Sequence, residues 1–131
     1  MALLLLAGMT GCADPEASAL LTDGVWKFKN VTTDSEYDVI KTLVAGYKAF
    51  YVDATLEFKD GGEYIKEFAL ADPETGTWDL IGDDQLIFTD EDNNPFPANI
   101  DNLTKDELKY IQTLVDPQSQ TTFNVTFTWS R

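Results

Sequence analysis

The eight residues before Arg131 alternate strictly between large apolar and small polar side chains, and this pattern constrains the fold most. From Phe123 to Ser130 the odd positions are Phe, Val, Phe and Trp, whereas the even positions are Asn, Thr, Thr and Ser. Successive side chains of a β-strand point to opposite faces of the sheet. A period of two therefore predicts a strand with one face on a core and the other in water.

Seven earlier segments share this strand-like character: Gly24–Val31, Thr55–Lys59, Glu63–Leu70, Gly76–Ile81, Gln85–Thr89, Ala98–Leu103 and Glu107–Val115. Turn sequences such as Lys59-Asp60-Gly61-Gly62 separate them, and many short strands of this kind indicate a sandwich or a barrel. Sequential short connections favour an up-and-down meander, and closing it removes the exposed edges. We predict an all-β fold, an eight-stranded antiparallel up-and-down barrel over residues 24–131, without a second domain.

One segment, Ser35–Tyr51, departs from the strand pattern. Its apolar residues fall at helical spacing, at positions Ile40, Leu43, Val44, Tyr47 and Tyr51. This spacing predicts a short helix that closes one end of the barrel, although Gly46 costs about 1 kcal/mol relative to alanine. A hairpin that turns at Ala45-Gly46 is the alternative.

The N-terminus carries a short apolar run, Ala2–Met9, which leads to the only cysteine in Met9-Thr10-Gly11-Cys12. A secretory signal has an apolar stretch of roughly 7–15 residues before a cleavage site, whereas a bilayer span needs about 20. The small-small-Cys ending resembles the lipobox of bacterial lipoproteins. The resemblance implies a signal peptide at residues 1–11, a lipidated Cys12, and a tether and lead-in at residues 12–23. No Lys or Arg precedes Lys27, so the usual basic leader is missing, and a buried helix of a cytosolic protein is the alternative.

Charge and composition exclude several classes of function. The formal net charge is −14, from 23 acidic and 9 basic residues. Nucleic-acid binding relies on Lys and Arg contacts to phosphate, so we expect no nucleic-acid partner. The acidic exterior is either a solvated surface or a patch for a basic protein partner.

The sequence contains no histidine, which removes the commonest general base and metal ligand. We therefore expect no enzymatic activity, no catalytic residue, no cofactor and no metal site. Asp90-Glu91-Asp92-Asn93-Asn94 starts like a calcium loop, but Pro95 replaces the loop glycine, and a solvated turn is the better interpretation.

Several short motifs, taken in order, resemble lipocalins. Gly24-Val25-Trp26 follows a short helical Pro15–Leu21 lead-in and matches the Gly-x-Trp that opens the first lipocalin strand. Leu56–Tyr64 and Gly76–Leu80 resemble the small lipocalin-like lipoproteins of Gram-negative bacteria, and the resemblance covers roughly residues 20–131. It implies structural roles for Gly24 and Trp26, and an arginine, here Arg131, placed against the opening tryptophan. It also implies a lipid-anchored location in the cell envelope, at the outer membrane, either periplasmic or surface-exposed.

Two further patterns concern local structure. A guanidinium of Arg131 over the indole of Trp26 would contribute about 0.5–2 kcal/mol, whereas a frayed terminus would contribute nothing. Thr104 and Glu107 have the spacing of a capping box that starts a short turn. They lie where a second lipocalin motif, Thr-Asp-x-x-Tyr, is matched only loosely, with two residues too many before Tyr110.

An eight-stranded barrel is either filled by its own side chains or just able to hold one small ligand. Lys66 shares strand parity with Tyr64, and Gln112 lies between Tyr110 and Leu114, so both polar groups are expected to face inward. A few polar groups in an apolar cavity are typical of small-molecule sites, and Lys66 would suit a carboxylate-bearing apolar ligand such as a fatty acid. The alternative places Lys66 near a rim, where its ammonium reaches water. The candidate ligand-binding residues are Trp26, Tyr64, Lys66, Trp78, Tyr110, Gln112 and Phe127.

From these patterns we expect a non-catalytic, lipid-anchored barrel that binds a small apolar or amphipathic ligand. The alternative is a filled acidic barrel that acts through its outer surface. In that case it would inhibit a basic enzyme or serve a glycan-uptake complex.

Overall fold

The computed structural model describes residues 14–116 and 118–131. Its elements in chain order are α1 (Pro15–Leu21), β1 (Val25–Thr33), α2 (Asp38–Phe50), β2 (Thr55–Phe58), β3 (Glu63–Glu67), β4 (Glu74–Ile81), β5 (Gln85–Asp90), β6 (Pro95–Leu103), β7 (Glu107–Val115) and β8 (Thr122–Ser130). Each strand pairs antiparallel with the next, and β8 returns to pair with β1, so the sheet is a closed barrel. The predicted eight-stranded up-and-down barrel is confirmed, and a two-sheet sandwich is excluded.

Strand β8 buries one face and closes the barrel by pairing with both β7 and β1. Phe123, Val125, Phe127 and Trp129 are all buried, and the residues between them face outward or are half-buried. Its register joins the strand to both neighbours, with Phe127 opposite Tyr110 on β7 and Trp129 beside Phe28 on β1.

Strand β3 is shorter than the predicted Glu63–Leu70, which is a correction. It ends at Glu67, and Leu70, the last residue of the predicted strand, is 97% exposed. The chain leaves the sheet through a bend at residues 69–71, and Pro73, which follows, has no amide hydrogen to donate to a ladder. Phe68 instead packs against Phe50 of α2, with ring centroids 4.6 Å apart.

Residues 38–50 form a helix, so the hairpin alternative is wrong. Ile40 and Val44 are buried against the barrel, and Tyr47 and Tyr51 are half-buried one and two turns further on. Gly46 lies on the exposed side, where an added Cβ would meet nothing within 4 Å. Gly46 therefore lowers the helix propensity of α2 but does not disturb the packing of this helix on the barrel.

The barrel end opposite α2 is closed by α1. Asp14 caps this helix by accepting hydrogen bonds from the backbone N–H groups of Glu16 and Ala17, at 2.8 and 3.2 Å. Leu21 at the helix C-terminus is fully buried, and its carbonyl accepts a hydrogen bond from Trp26 Nε1 at 3.1 Å. The helical lead-in predicted for Pro15–Leu21 is thus packed on the barrel, whereas Cys12 and the predicted signal peptide, residues 1–11, lie outside the described residues.

Arg131 lies over Trp26 at this closed end. Its guanidinium carbon is 3.8 Å from the centroid of the indole ring, and Nε donates a hydrogen bond to the carbonyl of Lys105 at 2.7 Å. The C-terminal residue is therefore packed against the first strand and is not frayed.

The Thr104–Glu107 turn differs from the predicted capping box. Thr104 Oγ1 does accept from the Glu107 backbone N–H at 3.1 Å, but the Glu107 carboxylate accepts from Asn102 Nδ2. The Thr104 N–H donates to the Glu107 backbone carbonyl instead, at 2.9 Å. This pattern closes the hairpin between β6 and β7 and starts no helix, because both flanking segments are already held in the sheet.

Candidate functional site

A cavity of about 180 Å³ lies inside the barrel beneath the C-terminal part of α2. Most of its wall is aromatic or aliphatic, contributed by Tyr47, Tyr51, Phe88, Phe96, Leu114 and Phe127. Its polar residues are Lys66 from β3, Glu74 from β4 and Gln112 from β7. The site therefore combines an apolar lining with three polar side chains from three different strands.

Aromatic rings fill the barrel below this cavity. The ring of Tyr110 packs at 5.5 Å from Phe88 and at 5.6 Å from Phe127, and Phe88 in turn packs edge-on to Tyr64 at 5.1 Å. Tyr110 is fully buried, and its hydroxyl accepts a hydrogen bond from Trp129 Nε1 at 3.2 Å. In the described residues the interior is therefore filled by side chains toward α1 and open toward α2. The filled barrel predicted as an alternative describes the α1 end, and the barrel with room for a small ligand describes the α2 end.

Lys66 has a buried ammonium group. The residue is only 7% exposed, which places it inside the barrel and not at a rim. Its Nζ lies 5.0 Å from the ring centroid of Phe88, 5.8 Å from Tyr51 and 5.9 Å from Tyr64. Each ring can stabilise the cation through its π face, by about 0.5–2 kcal/mol.

Glu74 is the ion-pair partner of Lys66. The two residues are directly opposite each other on β3 and β4, and Lys66 Nζ lies 3.7 Å from Glu74 Oε2. The same oxygen accepts a hydrogen bond from Tyr64 Oη at 2.8 Å. The Glu74 side chain is 42% exposed, so the pair joins a buried cation to a carboxylate at the mouth of the cavity.

The charged form of Lys66 is maintained despite its burial. Burial alone would lower the pKa of Lys66, but the ionisable groups of Tyr110, Tyr51, Glu74 and Tyr64 outweigh it, and the pKa is raised overall. For the Tyr110 hydroxyl, burial has the opposite effect and raises the pKa to about 12, although the nearby Lys66 ammonium acts to lower it. At neutral pH Lys66 is therefore protonated and Tyr110 beside it is neutral.

The structure brings together only some of the candidate ligand-binding residues. Lys66, Gln112 and Phe127 line the cavity, whereas Tyr64 and Tyr110 lie among the rings beneath it. Trp26 and Trp78 lie toward the closed end, away from the cavity lining. Trp78 packs edge-on to Phe58 at 5.4 Å and donates from Nε1 to the carbonyl of Lys59 at 3.0 Å.

Six cavity residues were absent from the sequence-based candidate set: Tyr47, Tyr51, Glu74, Phe88, Phe96 and Leu114. The helical spacing of Tyr47 and Tyr51 had indicated an inward face but not that this face roofs a cavity. Glu74 had a usable signal, because it shares even parity with the buried Trp78 on β4. The predicted strand began two residues too late to include it.

The outer surface carries a groove of about 360 Å³ between α1 and the turns at the closed end. Five acidic side chains contribute to its lining: Asp14, Glu16, Asp83, Asp84 and Asp101. Within the described ranges no three Cys, Asp or Glu side chains are grouped so that they could hold a metal ion. Asp90, at the start of the calcium-like segment, instead accepts backbone hydrogen bonds from Asp92 and Asn94, both at 2.9 Å.

In residues 14–116 and 118–131, neither helix is long and apolar enough to cross a membrane. A family model described as a lipocalin-like domain matches residues 22–110, from the start of the barrel into β7. The match includes Lys66 and Glu74 and ends two residues before Gln112. No curated protein sequence matches the chain.

Proposed function

The chain belongs to the lipocalin-like domain family, and from this premise we propose that it captures a small apolar or amphipathic molecule in the mouth of its barrel without catalysing a reaction. The observation that carries the proposal is the buried ammonium of Lys66 in the wall of an otherwise apolar cavity. An apolar pocket with a few convergent polar groups is the usual form of a small-molecule site.

The size of the cavity limits the ligand. Pockets for drug-sized molecules enclose roughly 300–1,000 Å³, whereas this cavity encloses about 180 Å³. The occupant is therefore a compact molecule, or the terminal part of a longer one that passes out beside Phe96, which is 41% exposed at the rim.

A binding role without catalysis agrees with the chemistry of the cavity. The sequence supplies no histidine as a general base. Lys66 is held in its ammonium form, which is neither a base nor a nucleophile. The charge of Lys66 is suited to orienting a ligand, and Gln112 on β7 adds a neutral hydrogen-bonding group to the cavity wall.

The proposal includes a lipid anchor on Cys12 at the outer membrane of a Gram-negative cell envelope. The lipobox-like sequence supports it, as does the position of Asp14, whose backbone N–H donates to the carbonyl of Gly82 at the closed end. An anchor two residues before Asp14 would join the barrel at the end opposite the cavity and leave its mouth accessible. Mass spectrometry of the protein from its own host tests this part: acyl chains on Cys12 that are lost in Cys12→Ser support it, and an unmodified thiol contradicts it.

The acidic groove beside α1 favours a second function, the binding of a basic protein such as a lysozyme-type enzyme or a component of a glycan-uptake complex. Five acidic residues line one groove in a chain of net charge −14, and the interior near this groove is filled. Such binding would weaken steeply with salt, because exposed charges are screened beyond about 10 Å at 0.1 M ionic strength.

Native mass spectrometry of the mature protein from its own host distinguishes the two functions. We expect a co-purified small molecule on the wild type that is lost when Leu114→Trp fills the cavity. Thr113→Trp is the matched control, because it adds the same indole to the outward face of β7, where Thr113 is exposed. A bare protein, or a ligand that Leu114→Trp retains, would contradict capture in the barrel.

A further inference from the structure

The ammonium of Lys66 is incompletely paired in the described structure. Its distance of 3.7 Å from Glu74 Oε2 is longer than the roughly 2.7–2.9 Å of a charge-assisted hydrogen bond. The Lys66 side chain is 9% exposed, so little of this deficit is made up by bulk water. A second anion that reached Nζ through the cavity would find a cation with unused hydrogen-bonding capacity.

Glu74 is able to give way to such an anion. Its side chain is 42% exposed, and its shortest described hydrogen bond is the one from Tyr64 Oη, at 2.8 Å, not one from Lys66. A carboxylate that is already 42% exposed becomes better solvated when it turns further outward, and this gain offsets part of the cost of leaving Lys66. Lys66 would lose far more if it were left without any anion, because an unpaired charge in an apolar interior is costly.

The rest of the cavity lining limits the chemistry and size of the group that is attached to the anion. Phe88 and Phe127 face the cavity together with Tyr51, and the rings of Phe88, Tyr110 and Phe127 close it below. These surfaces offer apolar contact and leave no room for a long chain in about 180 Å³.

We infer that the cavity takes a small monocarboxylate with a compact apolar body, and that Glu74 sets its affinity by competing with the ligand carboxylate for Lys66. The inference rests on the proposed function and deepens it. The ligand carboxylate replaces Glu74 at the ammonium, and the apolar body packs on the rings. Glu74 therefore competes with every anion that enters the cavity, and an anion that binds Lys66 weakly does not displace it.

Calorimetric titration of the full chain with three probes of equal length tests the inference: hexanoate, hexan-1-ol and hexylammonium. We expect hexanoate to bind more tightly than the other two. Glu74→Gln keeps the size of the side chain and its acceptor for Tyr64 but removes the charge. It should tighten hexanoate binding about ten-fold, or about 1.4 kcal/mol, and leave hexan-1-ol unchanged. Lys66→Met should abolish the preference for hexanoate over hexan-1-ol.

Glu67→Gln is the matched control, because it removes the same charge from an exposed side chain on the opposite face of β3. It should leave all three affinities unchanged. A second measurement is independent of affinity: Glu74→Gln should lower the melting temperature of the unliganded protein, and hexanoate should raise it more than in the wild type. Such compensation shows that the ligand carboxylate takes the place of Glu74.

Other results overturn the inference. If hexylammonium binds best, Glu74 and not Lys66 recognises the head group. If Glu74→Gln and Glu67→Gln change hexanoate binding equally, only the net charge matters. Binding of hexan-1-ol as tight as that of hexanoate refutes the inference but leaves the proposed function standing. Failure of all three probes to bind the wild type and Glu74→Gln also refutes the inference, and the proposed function fails with it only if native mass spectrometry finds no co-purified molecule.

Discussion

The contact between Arg131 and Trp26 allows a quantitative test of how the last residue is tied to the first strand. The guanidinium carbon lies 3.8 Å from the indole centroid, and Nε donates to the Lys105 carbonyl. Arg131→Ala removes both interactions. A cation over an indole contributes about 0.5–2 kcal/mol, and a hydrogen bond contributes about 1 kcal/mol net.

An opposing effect reduces this sum. In the described part of the chain, both terminal nitrogens of Arg131, Nη1 and Nη2, are buried without a hydrogen-bond partner. Removing them relieves a desolvation cost of about 1 kcal/mol or more. The expected net loss is therefore about 1 kcal/mol, which lowers the melting temperature by about 4 °C for a domain of this size.

Urea unfolding followed by tryptophan fluorescence measures the effect, and a double-mutant cycle with Trp26→Leu isolates the stacking term. The coupling energy should be about 0.5–2 kcal/mol, since these residues are in direct contact. Lys105→Ala is the control: it removes an exposed cation from the same turn but keeps the carbonyl that Arg131 uses, and it should change stability little. A coupling energy of zero, or equal effects of Arg131→Ala and Lys105→Ala, would refute the stacking argument.

Three further predictions concern backbone packing and pH. Gly76→Ala should prevent stable folding or cost about 3 kcal/mol or more in urea unfolding, because its Cβ would fall on the carbonyl oxygen of Thr89; wild-type stability would contradict this. Burial raises the pKa of Tyr110 to about 12, so its contribution to stability is full below about pH 10 and is lost as pH rises toward 12. Tyr110→Phe should flatten the stability profile in that interval, and an unchanged slope would count against it. The hydrogen bond from Ser119 lowers the pKa of Asp116, so its contribution is present above about pH 4 and fades below it. Asp116→Asn should therefore destabilise the protein at pH 7 but not at pH 2 in thermal melts, and equal effects at both would contradict the assignment.

Strand pairing was predictable because its signal is local. The parity of Phe127 and Trp129 fixes which face of β8 is buried, and the parity of Lys66 with Tyr64 predicts the inward orientation that the structure shows. Where a strand stops depends on the neighbouring chain, which the local pattern does not contain. In the sequence, Leu70 continues the alternation of apolar residues in β3, but it lies beyond the last residue that pairs with β4.

The cavity itself was less predictable, because it depends on which rings fill a shared volume. Trp26 and Trp78 are buried aromatic residues on the inner face of their strands, as Phe127 is on β8, yet they pack at the closed end and only Phe127 of the three reaches the cavity. The roof of the cavity depends on two structural features: residues 38–50 are helical, and Tyr51 at the end of this helix points inward. Neither a period of two nor a helical period predicts the distance between such elements.

The most direct test of capture in the barrel is an NMR titration of the full chain with hexanoate, with side-chain and backbone signals assigned. We predict that the largest shift changes, including that of the Lys66 ammonium, fall on residues lining the cavity beneath α2, with intermolecular contacts from the hexanoate methyl to Phe88 and Phe127. Shift changes confined to the acidic outer surface, or none at saturating hexanoate, would contradict the account.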